Sequence, residues 1–210
     1  MFYLKNIKIG DSTLYFIRFD EYNINDYTYL LTNDEQFKLS TFKSEKRKKE
    51  FVATRILKTT LFKNTPIYYL STGAPYFKNS TNHISISHCD NWVVFAVCNC
   101  YKIGVDIEPI SSKAQRLHQK FLNESEIALL DTSNIELMSK AWSCKEALYK
   151  LSTKEGIIFK KDLLITDFDK KNTFNCKVLE ENKSFSVHLS ASIIDGYIVT
   201  INTSPLYENH

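Results

Sequence analysis

The chain has 210 residues, 43% of them apolar and 24% charged, with 14 Phe, 12 Tyr and a formal net charge of +3. That composition excludes a disordered or fibrous chain and leaves enough apolar surface for one sizeable core or two small ones. Charge is uneven: residues 1–100 hold 13 Lys and Arg against 9 Asp and Glu, and residues 101–210 hold 14 against 15. So mild a basic excess argues against a dedicated nucleic-acid binder and suits a phosphate-bearing small ligand or an acidic partner. Five cysteines, none in a Cys-x-x-Cys pair, sit among apolar residues. They read as reduced, packed thiols of a cytoplasmic protein, without a structural zinc. The start of the chain has no apolar signal core, and the longest apolar run, residues 92–98, is far short of a membrane span.

Residues 12–19 alternate as a strand, with Leu14 and Phe16 on one side. Residues 25–31 read as a short helix, and Thr32 with Glu35 then has the spacing of a capping box opening another. Residues 44–62 are the strongest helical stretch of the first half: Phe51, Ile56 and Leu57 with Thr60 or Leu61 give an apolar side that no Gly or Pro interrupts. Its opening is densely basic, with Lys43, Lys46, Arg47, Lys48 and Lys49. It is either a solvated helix face or an anchor for phosphates. Residues 64–82, punctuated by Pro66, Gly73, Pro75, Asn79 and Asn82, read as short strands and hairpins. Residues 83–88 alternate Ile84 and Ile86 against Ser85 and Ser87; a turn at 89–91 leads to residues 92–98, apolar on both faces and therefore a central strand. His88, near the end of its strand, is a hydrogen-bonded structural residue or one that reaches a ligand.

Residues 103–108 read Ile-Gly-Val-Asp-Ile-Glu, so Ile103, Val105 and Ile107 point one way and Gly104, Asp106 and Glu108 the other. The two carboxylates lie about 6–7 Å apart along a strand, with Gly104 expected to leave open space beside them. They are the wet face of a half-buried strand or half of a site for a hard divalent cation. Residues 109–112 break the pattern, and Ser112 can cap a helix to residue 121. Asn123 and Glu126 form a second capping box, opening a helix to residue 130. A long helix covers 135–151, where Leu137, Ala141, Cys144, Leu148 and Leu151 make the core side. Trp142, Glu146 and Lys150 form a second stripe, with Lys145 beside it. The Glu146–Lys150 pair is an ordinary helix stabiliser, worth about 0.2–0.5 kcal/mol, or Glu146 is the third oxygen donor that Asp106 and Glu108 lack. Strands follow at 163–168, 173–179, 184–189 and 193–201, with Asp195-Gly196 as a hairpin turn. A long helix followed by three or four antiparallel strands thus occurs twice, without a residue-level repeat. The expected fold is α+β, with two similar lobes, residues 1–101 and 102–210, each a long helix packed on a small antiparallel sheet.

The motifs His83-Ile-Ser-Ile-Ser-His88, Ile103-Gly-Val-Asp-Ile-Glu108 and Trp142-Ser-Cys-Lys-Glu-Ala-Leu-Tyr-Lys150, in this order and spacing, resemble the 4'-phosphopantetheinyl transferases. The larger, pseudo-dimeric Sfp type is the closer likeness, because a whole lobe precedes Asp106. The resemblance implies a monomer that transfers 4'-phosphopantetheine from coenzyme A to a serine of an acidic acyl or peptidyl carrier protein, releasing adenosine 3',5'-bisphosphate. It further implies that Asp106, Glu108 and Glu146 hold Mg2+ against the CoA diphosphate. Lys150 would offset charge on the attacked phosphate or the leaving group. His88 would contact the 3'-phosphate end, with Lys49 and the basic turn at Lys46–Lys48 nearby. The base would be a carboxylate, Glu146 ahead of Glu108, or a metal-bound water. Residues 114–122 would dock the carrier. One departure stands out: Gly73-Ala74-Pro75 has alanine where the family commonly has a CoA-contacting lysine. The rival readings are a non-catalytic CoA- or nucleotide-binding module of the same fold and another Mg2+-dependent phosphotransfer enzyme. Neither nucleic acid nor membrane is expected as a partner.

Overall fold

A computed structural model describes residues 2–63, 65–169, 171–181 and 183–209. The first half begins with a hairpin of β1 (Phe2–Ile9) and β2 (Ser12–Phe19), followed by a 3-10 helix (Ile24–Leu30), α1 (Asn33–Thr41) and α2 (Glu45–Leu61). A small hairpin of β3 (Tyr68–Tyr69) and β4 (Pro75–Tyr76) leads to β5 (His83–Cys89) and β6 (Trp92–Cys98). These strands build an antiparallel sheet of order β1-β2-β6-β5, with β3 and β4 pairing apart. The second half runs through β7 (Val105–Pro109), α3 (Ser112–Phe121), α4 (Glu124–Leu129), α5 (Ile135–Leu151) and the single turn α6 (Phe159–Asp162). It then adds β8 (Leu163–Phe168), β9 (Thr173–Glu180), β10 (Lys183–Ile194), β11 (Tyr197–Asn202) and β12 (Tyr207–Asn209). The second sheet has the order β7-β11-β10-β9-β8, with β12 on β10. The expected α+β architecture, a long helix on each of two antiparallel sheets, is the one observed.

The apolar pattern explains how the layers stack. On one face of β6, Val93 and Phe95 pack with Ala53 and Leu57 of α2; on the other, Trp92, Val94 and Ala96 pack against Val105, Ile107, Val199 and Ile201 of the second sheet. A strand covered on both sides has no place for polar residues, and β6 has none. The α5 side made by Met138, Ala141, Cys144, Leu148 and Leu151 lies on Phe174, Leu189 and Ile198. Burial at about 25 cal/mol per Å2 of apolar surface makes these three interfaces between four layers the main support of the fold.

Several expectations need correction. Strand β1 went unrecognised because it is an edge strand whose Tyr3 and Leu4 stay exposed, so its pattern does not alternate. The short elements β12 and α6 were also unforeseen. The stretch at 25–31 is a 3-10 helix, and Ser111, not Ser112, is the N-cap of α3; its backbone N–H donates to Ser139 Oγ at 3.1 Å. The Asp195-Gly196 hairpin turn forms as expected, with positive φ at both residues, but the strand before it runs unbroken from Lys183 to Ile194. Cys98, Cys144 and Cys176 are buried, but Cys89 is half-buried and Cys100 exposed; all five are free thiols. Both capping boxes form as read: Glu35 accepts from the Thr32 N–H at 3.1 Å and Glu126 from the Asn123 N–H at 2.8 Å. Residue 64, the first of the predicted hairpin stretch, lies outside the described residues. No described helix is long and apolar enough to cross a membrane.

Candidate active site

The two sheets meet where β7 runs beside β5, and the polar side of β5 makes the joint. Ser85 Oγ accepts from the Val105 N–H at 3.0 Å, and Ser87 Oγ donates to Asp106 Oδ1 at 2.8 Å. Asp106 is 3% exposed. Its other oxygen accepts from Ser143 Oγ of α5 at 2.9 Å, and Lys150 Nζ donates to Oδ1 at 3.1 Å and to the Val105 carbonyl at 2.6 Å. Gly104 leaves no open space, contrary to expectation. A Cβ there would lie 2.3 Å from the Ala147 carbonyl oxygen, so the glycine is what lets β7 approach the backbone of α5. That approach sets Asp106 against Ser143 and Glu108 against Trp142, whose Nε1–H donates to Glu108 Oε1 at 3.0 Å.

Glu146 lies on the same face of α5, one turn from Trp142 and one from Lys150. It is half-buried, and among the described residues no hydrogen bond reaches its carboxyl. Burial first, then the Asp106 charge, push that carboxyl up to about 7, with Glu108 adding to the effect and Lys150 opposing it. Glu108 is raised by the same two causes, burial and Asp106, against the Trp142 hydrogen bond and the Lys150 and Lys113 charges. Three acids therefore crowd one spot with more negative charge than Lys150 offsets. An all-oxygen donor set with surplus negative charge is the chemistry a hard divalent cation requires. On that ground Asp106, Glu108 and Glu146 fit Mg2+. Their side chains are not drawn together around one point: among the described residues no group of three or more His, Cys, Asp or Glu is placed to hold a metal ion.

At the far end of β5, His88 Nδ1 lies 3.2 Å from Glu50 Oε2, and its Nε2 contacts the Arg47 guanidinium. The other cations of α2 turn elsewhere. Lys46 is 4.0 Å from Asp90, and Lys49 pairs with Glu21. Of the basic turn, then, Arg47 is the residue that touches His88. Lys145, which looked like a flanking cation of the stripe, is fully buried and bonded to Glu126 at 2.5 Å. A cavity of about 480 Å3 opens between the lobes, lined by Gly73-Ala74-Pro75, Lys102, Tyr149, Lys150 and Lys154. Lys102 donates to the Leu151 carbonyl at 2.7 Å and Lys154 to Asp162 at 2.7 Å. A second cavity of about 360 Å3 adjoins Glu108 between α3 and α5, walled by Ala114, Leu117, Phe121 and Trp142, with Lys113 and Lys120 also lining it. Sequence reasoning missed Ser143 and Glu50, and named Arg47 only as one member of the basic turn. Ser143 could have been found three residues before Glu146 on the same helical face, and Glu50 had no signal beyond its place after the lysines.

Taken as a fold, the two sheets with their long helices are consistent with the 4'-phosphopantetheinyl transferases. Residues 102–202 match the model of the 4'-phosphopantetheinyl transferase superfamily. Over 120 residues the chain is 29% identical to a protein named 4'-phosphopantetheinyl transferase gsp, from Aneurinibacillus migulanus. That stretch covers 55% of this chain and 48% of the relative, so the match spans about half the relative's length. These two likenesses support the superfamily. Asp106, Glu108, Glu146 and Lys150 fall inside the matched span, whereas α2 and His88 precede it.

Proposed function

We propose that this chain is a Mg2+-dependent transferase of the Sfp type, moving 4'-phosphopantetheine from coenzyme A to a serine of a carrier protein. The observation that carries this reading is the crowding of Asp106, Glu108 and Glu146 at the seam of the two lobes, with the Lys150 ammonium beside them. Asp106, Glu108 and Glu146 would hold the magnesium, which when bound spreads the charge of the diphosphate. The serine oxygen of the carrier forms a bond to the β-phosphorus, and the bond from that phosphorus to the bridging oxygen breaks. Adenosine 3',5'-bisphosphate leaves with the electron pair. The serine proton goes to a carboxylate. Glu146 suits this role, because among the described residues no hydrogen bond engages its carboxyl.

Lys150 is fixed by the Val105 carbonyl and lines the cleft, so its charge is positioned before the reaction rather than recruited during it. The N-terminal lobe, residues 1–101, takes the nucleotide: His88 meets its phosphate end beside Arg47, and Lys46 and Lys49 would join it by leaving Asp90 and Glu21. Lys102 and Lys154 line the cleft where Ala74 omits a cation. The C-terminal lobe, residues 102–210, takes the metal and the carrier. Its surface at residues 114–122 borders an apolar cavity with exposed Lys113, Arg116 and Lys120, which complements an acidic helical partner. The test is mass spectrometry of a panel of apo-carrier proteins after incubation with the chain, CoA and Mg2+. The expected result is a gain of one phosphopantetheine on the acceptor serine of at least one carrier, lost when that serine is alanine. Binding of CoA with no carrier modified would instead identify a non-catalytic binding module.

A further inference from the structure

Asp106 differs from the other two acids in how completely its oxygens are engaged. Oδ1 accepts from Ser87 Oγ at 2.8 Å and from Lys150 Nζ at 3.1 Å, and Oδ2 accepts from Ser143 Oγ at 2.9 Å. Glu108 accepts from Trp142 alone, and among the described residues no hydrogen bond engages the Glu146 carboxyl. The donors reach Asp106 from both lobes: Ser87 stands on β5, Ser143 and Lys150 on α5. Both serines are buried, Ser143 completely. Each oxygen of a carboxylate carries two lone pairs, so Asp106 offers four acceptor sites, of which these donors take three. Oδ1 is full. Oδ2 keeps one site.

We propose that Ser87 and Ser143 are positioning residues that make Asp106 a one-oxygen ligand, and so bias the acid trio toward Mg2+ and against Ca2+. A carboxylate grips a cation through both oxygens only if each has a lone pair to give, and Ser87 with Lys150 denies that at Oδ1. Ca2+ takes about six to eight oxygens and readily accepts both oxygens of one carboxylate, whereas Mg2+ demands a near-ideal octahedron of single oxygens. The two serines divide the work. Ser87 closes Oδ1, and Ser143 keeps the carboxyl from turning, so that the remaining site on Oδ2 holds its direction. Lys150 also helps to close Oδ1, but it supplies charge for the transfer. The serines can therefore be changed without removing a cation from the cleft. The inference rests on the magnesium reading and deepens it, because it places the choice of metal in hydroxyls beside the acids rather than in the acids themselves.

The test follows binding of Mn2+, an octahedral stand-in for Mg2+, by electron paramagnetic resonance in the presence of CoA, with Mg2+ or Ca2+ as competitor. In wild type, Mg2+ should displace Mn2+ at a lower concentration than Ca2+ does. Ser87→Ala should narrow that gap several-fold, because a site on Oδ1 is freed. Ser143→Ala should weaken Mn2+ and Mg2+ about tenfold and leave their order against Ca2+ unchanged. In steady-state transfer, Ser143→Ala should raise the Mg2+ concentration needed for half-maximal rate, with kcat at saturating Mg2+ little changed. A merely structural role for the serines would lower the melting temperature without moving Mg2+ relative to Ca2+. An unchanged preference in Ser87→Ala, or wild-type Mn2+ affinity in Ser143→Ala, overturns the inference and leaves the magnesium reading standing. A wild-type chain that binds no Mn2+ with CoA present overturns both.

Discussion

Helices α2 and α5 are each 17 residues long, lie on an antiparallel sheet and bury one cation against a carboxylate from the short helix before them. In the first lobe Arg55 meets Glu35 of α1; in the second Lys145 meets Glu126 of α4. Each of these glutamates is also the fourth member of a capping box, so one side chain closes its own helix and docks the next. This is the residue-level repeat that reading the sequence did not find. The lobes then part. Aligning Arg55 with Lys145 puts Val52, Ile56 and Thr60 where α5 carries Trp142, Glu146 and Lys150. The same frame therefore supports an acid trio in one lobe, while in the other its carboxylate, Glu50, turns to a histidine. The difference shows that the frame is common to both lobes and that the acids gather in the second, where β7 meets α5 through Gly104.

Breaking the shared frame should have the largest effect. Glu126→Gln or Glu35→Gln leaves a buried cation without its counter-charge, a loss of about 3–5 kcal/mol. The second lobe should lose more, because Lys145 is wholly buried and Glu126 also accepts from the Ile165 N–H, whereas Arg55 keeps Tyr69 and the Phe51 ring. Urea unfolding of the two variants measures this, and equal losses would show that the two pairs are interchangeable.

The acid trio can be tested apart from the frame. Glu146→Gln should lower transfer about 10²–10³-fold without loss of stability, since nothing in the fold leans on its carboxyl. Asp106→Asn should lower it comparably and also destabilise the chain by about 1–3 kcal/mol, because Ser87, Ser143 and Lys150 all converge on that buried carboxylate. Turnover and melting temperature, measured together over a range of Mg2+, separate the two. Near-normal turnover in Glu146→Gln would remove it from the site.

The last test is a pH dependence. In the folded, metal-free chain the Glu146 carboxyl sits at about 7, against an ordinary 4.5. Between those values the unfolded chain has released the proton and the folded chain keeps it, so stability falls as pH rises from about 4.5 to about 7. Glu108, also raised, acts in the same direction. Thermal melts in chelator should show this slope in wild type and a shallower one in Glu146→Gln, with the variant the more stable at pH 8. Parallel slopes would mean that Glu146 is not under the strain its neighbours impose.

Much of this was legible beforehand because it depends on neighbours in sequence. Capping boxes at Thr32 and Asn123, the doubly apolar β6 and the alternation of residues 103–108 are local patterns, and each became the element it implied. The polar side of β5, Ser85 and Ser87, also read correctly as a face, though not as the splice between sheets. What resisted reading involves residues distant in the chain. Lys145 looked like one more cation of a surface stripe, since nothing nearby in sequence reveals that Glu126 lies beneath it. Gly104 looked like open space because a missing side chain gives no sign of what fills its place.

From the sequence alone came the α+β class, the stripe carrying Glu146 and Lys150, and the pairing of Asp106 with Glu108 on one face of a strand, because backbone periodicity decides which side chains share a face. Only the tertiary structure decided that the two faces meet, that Asp106 is a buried junction rather than a cleft wall, and that Arg47 rather than Lys49 stands beside His88. Those outcomes depend on how closely one backbone can approach another and on which charge finds a partner first, and neither is written in any single stretch of the chain.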